Sequence, residues 1–293
     1  MLNTYFVEGG VGKCTAFTAL IPQLKKKSEV QIYTPYLGCF GGNPDVKMAF
    51  EGTIPLTHPD IMASDNLYYS EPYKSNFQFG KQHLIESYCE HHGVKYKTSM
   101  KPKIYTEQYK EKVAEWLKVN KIGKYILIQL SGGQAQMGFN PNNQYTNINP
   151  NRNYPHFLAQ QVVNMFREEY PDTTIINCVL PNEPHYQGTI RCDLHWTQIH
   201  EMLKGAEGFI SIDSCLQHFS ASAEKHGVVL WGSTRWTQFG YSHNKNLQFH
   251  MKDDWDETKY VESDPRNVMV EPKLIIDSFK KLDKDKPVAC ATK

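Results

Sequence analysis

The stretch "ISIDSCLQHFSASAEKHGVVLWGSTRWTQFGY", from Ile210 to Tyr241, carries the most specific pattern in the chain. An apolar strand ending in Asp-Ser is followed by a predicted helix and then by the apolar strand "VVLWG". Ser214 stands at the start of that helix, where free backbone amides and the helix dipole favour a phosphate group. His218 lies one turn further along, on the same helix face. The stretch therefore predicts a strand–helix–strand unit with an anion-binding end.

The same alternation of short strands and longer helices extends along the rest of the chain, which predicts an α/β fold with parallel sheets and right-handed crossovers. A strand running into a glycine turn occurs first in "NTYFVEGG" and again in "KYILIQLSGG", which begins at Lys124. We therefore expect one domain over 1–122 and a second over 123–270. Residues 271–293 are expected to form a final helix and a frayed tail.

The overall composition is typical of a soluble globular protein, with 40% hydrophobic and 22% charged residues in 293. Thirty-two basic and 31 acidic residues leave a net charge of +1, which argues against a dominant electrostatic grip on nucleic acid or membrane. The seven cysteines show no CxxC pair, so we expect reduced thiols and no metal site. Without a signal-like or membrane-spanning segment, the expected location is the cytoplasm, that of the host cell if the protein is viral.

The segment "VEGGVGKCTAF", from Val7 to Phe17, is similar to the phosphate loop of an ATPase. That loop needs a first glycine, a Gly-Lys pair and a hydroxyl that binds magnesium. Gly12 and Lys13 fit the pattern, but Val7 replaces the first glycine and Cys14 the hydroxyl, and a thiol is a poor magnesium ligand. An ATPase is therefore disfavoured, and a tight strand-to-helix turn with or without a ligand remains.

Asp213, Ser214 and His218, followed by small residues and the loop "LWGSTRWTQFGY", resemble the heptosyltransferase-like glycosyltransferases of glycosyltransferase family 9. Further landmarks of that family are similar in the same order, namely "EGGVGK", "NPDVKMAF", "YILIQLSGG", "NRNYP" and "LPNEP". The resemblance implies the GT-B architecture, in which two Rossmann-like domains with parallel sheets face each other across a cleft. It places the acceptor in the first domain and a nucleotide-sugar donor in the second, and it is compatible with a divergent phage-type member.

The resemblance also implies a donor site in the second domain. Its candidate residues are Ser131, Gly132, Gly133, Arg152, Glu183, Asp213, Ser214 and His218. Glycines allow close backbone approach to phosphate, the arginine adds positive charge, and the glutamate is a candidate for the ribose hydroxyls. The alternatives without ligand binding are that Asp213 caps a helix, that His218 is a core histidine and that Arg152 is a solvated surface residue.

On the acceptor side, the candidate loop contains Gly9, Gly10 and Gly12. The family usually has an aspartate directly after this turn as the general base of an inverting transfer, and this chain has Lys13 there. A protonated lysine cannot accept the proton of the acceptor hydroxyl.

Three explanations of this departure stay open. Glu8, or another acid such as Asp60 or Glu71, replaces the base. Alternatively, Lys13 binds the acceptor or a phosphate, or transfer proceeds with retention. The candidate catalytic residues are therefore Lys13, Glu8 and His218.

The sequence thus predicts a metal-independent glycosyltransferase that moves a hexosyl, heptosyl or pentosyl group from a nucleotide-diphosphate sugar to a hydroxyl, without a cofactor. The expected partners are the nucleotide sugar and a saccharide acceptor of lipopolysaccharide type, with no membrane span. A hydroxymethylated base of viral DNA is the alternative acceptor. A non-catalytic nucleotide-binding module is the alternative of another class.

Overall fold

The computed structural model describes residues 1–52, 59–132, 153–179, 183, 185–232, 234–248 and 270–291. Within these ranges the chain forms two sheets, one of four strands and one of six. Every strand pair in both sheets is parallel. The predicted α/β fold with two parallel sheets is confirmed.

The first sheet is built from residues near the amino terminus. Its strands are β1 (Leu2–Phe6), β2 (Glu29–Thr34), β3 (Val46–Glu51) and β4 (Asn66–Tyr69). They lie in the order β3-β2-β1-β4, with the buried β1 and β2 in the centre. Phe6 pairs with both Tyr33 and Tyr69, so the carboxyl ends of β1, β2 and β4 meet at one edge.

The second sheet is also parallel and has six strands. Its strands are β5 (Tyr125–Gln129), β6 (Thr174–Asn177), β7 (Ile190–Arg191), β8 (Phe209–Ile212), β9 (Gly227–Trp231) and β10 (Lys245–Gln248). They lie in the order β10-β9-β8-β5-β6-β7. The central strands β5, β8 and β9 are rich in Val, Ile and Leu and mostly buried, as expected for a parallel sheet that is covered on both faces.

Eleven α-helices connect or flank these strands within the described ranges. They are α1 (Val11–Phe17), α2 (Ile21–Leu24), α3 (Pro59–Met62), α4 (Ser75–Gln78), α5 (Leu84–His91), α6 (Lys110–Val119), α7 (His156–Glu169), α8 (Trp196–Gly205), α9 (Cys215–Ala223), α10 (Trp236–Phe239) and α11 (Pro272–Lys280). Short 3-10 helices cover Leu37–Cys39 and Glu107–Tyr109. None of the helices in the described ranges has both the length and the apolar character needed to cross a membrane.

The two sheets are joined where α1 packs against α9. The core of the first sheet also contains Ala221, Tyr241 and Cys290, which come from much later in the chain. Conversely, Val113 of α6 belongs to a core cluster of the second sheet, and α6 packs against α8. The predicted limits at residues 122 and 270 stay predictions, and the described residues show side chains crossing between the two cores.

The expectation of a frayed carboxyl-terminal tail is wrong for residues 288–291. Cys290 and Ala291 are buried, and the backbone N–H of Cys290 donates to the Thr98 carbonyl at 2.8 Å. Cys290 also forms a β-bridge with Tyr241. The tail is fixed because its small apolar side chains fill the core of the first sheet.

Candidate active site

The first sheet changes the direction of its connections between β1 and β4. The chain runs from β1 outward to β2 and β3, and β4 then lies on the opposite side of β1. In open parallel sheets, ligands bind in the crevice beyond the carboxyl ends of the strands at such a point. Glu8 follows β1 and Glu71 follows β4. Asp60 lies in α3, and its side chain is outside the described part of the structure.

Glu8 is held by a tyrosine of the neighbouring strand. The Tyr69 hydroxyl donates a hydrogen bond of 2.9 Å to Oε2 of Glu8. That bond, together with smaller effects of burial and of the charges of Glu8 and Glu71, raises the pKa of Tyr69. The Tyr69 side chain is 50% exposed, so the Glu8 carboxylate is oriented beside an accessible aromatic ring.

Lys13 lies beside the same carboxyl edge and is paired with Glu71. Its Nζ lies 3.0 Å from Oε2 of Glu71, and the Tyr73 backbone N–H donates to the other carboxylate oxygen at 2.8 Å. The ammonium also sits 4.3 Å from the centre of the Tyr73 ring, a cation–π arrangement. Only 11% of the Lys13 side chain is exposed, so its charge is satisfied inside the protein.

The three glycines of the predicted acceptor-side loop have different structural roles. Gly9 has a φ of +98°, and a Cβ there would lie 2.5 Å from Cδ of Lys13, so the glycine lets the lysine fold back toward Glu71. Gly10 precedes α1 as its N-cap. Gly12 lies inside the first turn of α1, where a Cβ would lie 2.6 Å from Cδ2 of His218. The close contact between α1 and α9 therefore depends on Gly12.

The second sheet has its own change of direction, between β5 and β8. Asp213 and Ser214 follow β8 there, and the Ser214 hydroxyl donates to Oε1 of Gln129, at the end of β5, at 2.7 Å. Ser214 is also the N-cap of α9, since its Oγ accepts the Leu216 N–H at 3.3 Å. The alternative that Asp213 is the cap is wrong. Its carboxylate instead accepts a hydrogen bond of 2.7 Å from the Thr234 hydroxyl.

His218 lies on α9 at the junction of the two domains. Its side chain is buried, and its Nδ1 is 3.0 Å from the Tyr241 hydroxyl. Burial raises the pKa of Tyr241 well above its usual value, so this hydroxyl keeps its proton. The Nε2 side of the imidazole faces Gly12, where a Cβ would lie 3.1 Å from Nε2. The structure thus places His218, a residue of the predicted donor-side helix, against Gly12 of the predicted acceptor-side loop.

The remaining predicted donor residues are only partly described. Ser131 is buried at the end of β5, and the Gly132 N–H donates to Oδ1 of Asn153 at 2.9 Å. Glu183 is buried, and its backbone carbonyl accepts a hydrogen bond of 3.1 Å from Arg191. Gly133 and Arg152 lie outside the described residues. Their roles in donor binding stay predictions, as do those of the other candidate residues.

The environment of Cys14 agrees with the rejection of an ATPase loop. The Cys14 thiol is buried beside the Thr34 hydroxyl, 3.5 Å away. Burial raises its pKa to about 12, so the group is a neutral thiol near pH 7. Such a group does not supply the hard oxygen ligand that magnesium requires.

Sequence reasoning missed several partners of these residues. Tyr69, Gln129 and Thr234 hold Glu8, Ser214 and Asp213, respectively. Gln129 had a usable signal, because it is a polar residue ending the apolar strand "YILIQ". Tyr69 also ends a strand, but its position beside Glu8 follows only from the order of strands in the sheet.

Comparison with known proteins finds similar solved structures but no matching sequence family. No family model and no curated protein sequence matches the chain. A glycosyl transferase family 9 structure from Veillonella parvula matches with a TM-score of 0.73 at 11% identity, covering 96% of both chains.

Two structures from E. coli match over similar lengths. ADP-heptose LPS heptosyltransferase II has a TM-score of 0.67 at 11% identity, over 96% of this chain and 98% of its own. Heptosyltransferase WaaC with ADP has a TM-score of 0.59 at 9% identity, over 97% of this chain and 100% of its own. Together with its two parallel sheets, these matches show that the chain has the GT-B fold of heptosyltransferases and other glycosyltransferases of family 9.

Proposed function

We propose that the protein transfers a sugar from a nucleotide-diphosphate donor to a hydroxyl of a saccharide acceptor. The observation that carries this proposal is the contact of α1 with α9 through Gly12 and His218. This contact brings two parts of the molecule together. One is the carboxyl edge of the first sheet, where Glu8 lies, and the other is the amino-terminal end of α9 at Ser214, a kind of helix end that favours phosphate. The fold shared with the heptosyltransferase structures supports it, because one of them contains ADP.

Glu8 is the general base of the proposed reaction. Glu71 is already engaged by the ammonium of Lys13, whereas Glu8 accepts from the Tyr69 hydroxyl through Oε2, and in this proposal its Oε1 meets the acceptor. The acceptor hydroxyl gives its proton to Glu8, and its oxygen attacks the anomeric carbon. The bond from that carbon to the diphosphate breaks, and its electron pair leaves with the diphosphate. Attack from the side opposite the leaving group inverts the anomeric centre.

The leaving diphosphate is stabilised by the amino-terminal end of α9 and by His218. The helix dipole and free amides favour negative charge there. In this proposal the Tyr241 hydroxyl donates to Nδ1 of His218, which leaves the hydrogen on Nε2. Donor binding would separate the first turn of α1 from His218, and that N–H would then donate to an oxygen of the departing phosphate, a type of contact that strengthens as charge develops.

The change of strand order between β5 and β8 locates the rest of the donor site. Ser131, Gly132 and Gly133 would lie near the phosphates and Arg152 would add positive charge. Glu183 would accept hydrogen bonds from the ribose, and Asp213 would hold the loop after β9 through Thr234. Since amides and an imidazole meet the charge of the leaving group, we propose that transfer needs no metal ion and no cofactor.

The test is acceptor-dependent release of nucleoside diphosphate from a panel of nucleotide sugars, including ADP-linked heptoses. Variant His218→Asn should fold and bind nucleotide but turn over about 100-fold more slowly or worse, since one phosphate contact is lost in the transition state. The matched control is His200→Asn, a buried histidine on α8 whose hydrogen bonds go to Thr106 and Ser222 instead of Tyr241.

The control should lose stability yet keep the turnover of its folded fraction. Equal turnover of His218→Asn and the unchanged protein would remove His218 from the mechanism. Nucleotide binding measured by calorimetry, with no release from any donor in the panel, would leave a binding module instead of an enzyme.

A further inference from the structure

The positive charge of Lys13 is neutralised by side chains of the protein itself. Glu71 contacts it at 3.0 Å, and the Tyr73 ring covers it at 4.3 Å from the ring centre. The Tyr73 ring is itself held in place, because the Phe77 ring stacks on it with centroids 5.0 Å apart. The Tyr73 backbone N–H holds the second oxygen of Glu71 at 2.8 Å. Lys13 is therefore a poor candidate to grip an anionic acceptor.

The charge beside the proposed base follows from these contacts. Glu8 and Glu71 are carboxylates and Lys13 is the cation paired with them, so this group of three side chains carries one net negative charge. An incoming phosphate or carboxylate would meet repulsion from Glu8 with no unpaired cation among these three to offset it. A hydroxyl, in contrast, can donate a hydrogen bond to Glu8.

The ring of Tyr69 offers a surface for an uncharged ligand. It is 50% exposed, lies on the edge strand β4, and is fixed through its hydroxyl to Glu8. Aromatic rings with a polar tip suit ligands that have both an apolar face and hydroxyl groups, as sugar rings have. A sugar stacked on Tyr69 would present its hydroxyls next to the Glu8 carboxylate.

We propose that Glu71 sets the acceptor specificity, so that the site takes an uncharged sugar stacked on Tyr69 and rejects phosphorylated or acidic sugars and nucleic acid. This inference rests on the proposed glycosyl transfer and names the acceptor class of that same site. Glu71 acts by cancelling the charge of Lys13, and the substitution Glu71→Gln removes that cancellation while keeping nearly the same shape.

The experiment compares kcat/KM for methyl hexosides with that for the matching 6-phosphates and uronic acids. The unchanged protein should favour the uncharged acceptor at least about tenfold, since like charges oppose the anion. Glu71→Gln should shift the ratio at least about tenfold toward the anionic acceptors. The double variant with Lys13→Met should return the preference to uncharged sugars, because it removes the released charge.

A second readout does not depend on turnover. Saturation-transfer NMR of methyl hexosides should show binding that Tyr69→Ala abolishes, while Phe157→Ala, an exposed aromatic of the other domain, leaves it intact. If Glu71→Gln does not fold, Lys13→Met alone should keep the preference for uncharged sugars.

The inference is overturned if the unchanged protein prefers anionic acceptors, or if folded Glu71→Gln keeps the original ratio. It is also overturned if Tyr69→Ala binds the hexosides as well as the unchanged protein. These failures differ from failure of glycosyl transfer itself, in which no nucleoside diphosphate is released with any acceptor.

Discussion

Gly12 and His218 show how a single side chain fixes the approach of two domains. A Cβ at Gly12 would lie 2.6 Å from Cδ2 of His218, closer than carbon atoms tolerate. The imidazole cannot move aside freely, because it is buried and bonded to Tyr241 at 3.0 Å. The glycine therefore keeps α1 and α9 close and keeps the histidine in place.

The substitution Gly12→Ala should lower the free energy of unfolding by about 1–3 kcal/mol, as overpacking of a filled core does. It should also slow sugar transfer, because His218 must shift. Urea denaturation and the release assay measure the two effects. The matched control is Gly123→Ala, where a Cβ meets no atom within 4 Å. A Gly12→Ala protein as stable and active as that control would contradict the close contact.

Individual elements were predictable where local rules decide them. The helix start at Ser214 follows from a capping residue after an apolar strand, and the structure has the cap there. β3 was not predicted, because an edge strand with exposed side chains lacks the apolar run that marks a buried strand. The stretch "CTAFTALIPQLKKK", from Cys14 to Lys27, has the pattern of one continuous helix, yet the structure has two, α1 and α2. Pro22 explains this, since it has no N–H and its ring clashes with the carbonyl four residues earlier.

One buried histidine ties the connection between the domains to two helices. Nδ1 of His200, a residue of α8, lies 2.9 Å from the Thr106 hydroxyl. Its Nε2 lies 3.0 Å from the hydroxyl of Ser222 on α9. The Thr106 hydroxyl donates to Glu201 and Ser222 accepts from Ile104 N–H, so a neutral imidazole satisfies every group. Burial lowers the pKa of His200 to about 3.

The pH dependence of stability follows from that shift. The folded pKa of His200 lies below its usual value of 6.5, so the unfolded chain binds the extra proton as the pH falls through 6.5. The contribution of His200 to the free energy of unfolding is fully present above pH 6.5. It is lost as the pH falls toward 3, by up to about 1.4 kcal/mol per pH unit. His83, His92 and His243, whose pKa values burial also lowers to about 3, act in the same direction.

Urea unfolding between pH 7 and 5 should therefore show stability falling with pH, in a range above the titration of ordinary carboxylates. His200→Asn should be less stable at pH 7 but should show a shallower slope of stability against pH, because one of the four histidines with a pKa of about 3 is gone. An unchanged slope in this variant would contradict the neutral state of His200.

At the scale of the whole molecule, the α/β class and the two parallel sheets could be predicted from the alternation of strands and helices. The arrangement of the site could not, since it depends on contacts between residues far apart in sequence. Lys13 pairs with Glu71, and His218 lies against Gly12. Cys290 likewise joins the core of the first sheet through contacts with residues far away in sequence, which no local pattern predicts.

Whether sugar transfer occurs at the junction of the two domains, as we claim, can be measured by mass spectrometry of the acceptor. Saccharide acceptors are incubated with the protein, a panel of nucleotide-diphosphate sugars and a metal chelator. We predict that an acceptor gains the mass of one glycosyl residue, and that Glu8→Gln slows this gain about 10²–10⁴-fold because the general base is lost. Tight binding of nucleoside diphosphate with no mass gain by any acceptor would contradict the claim.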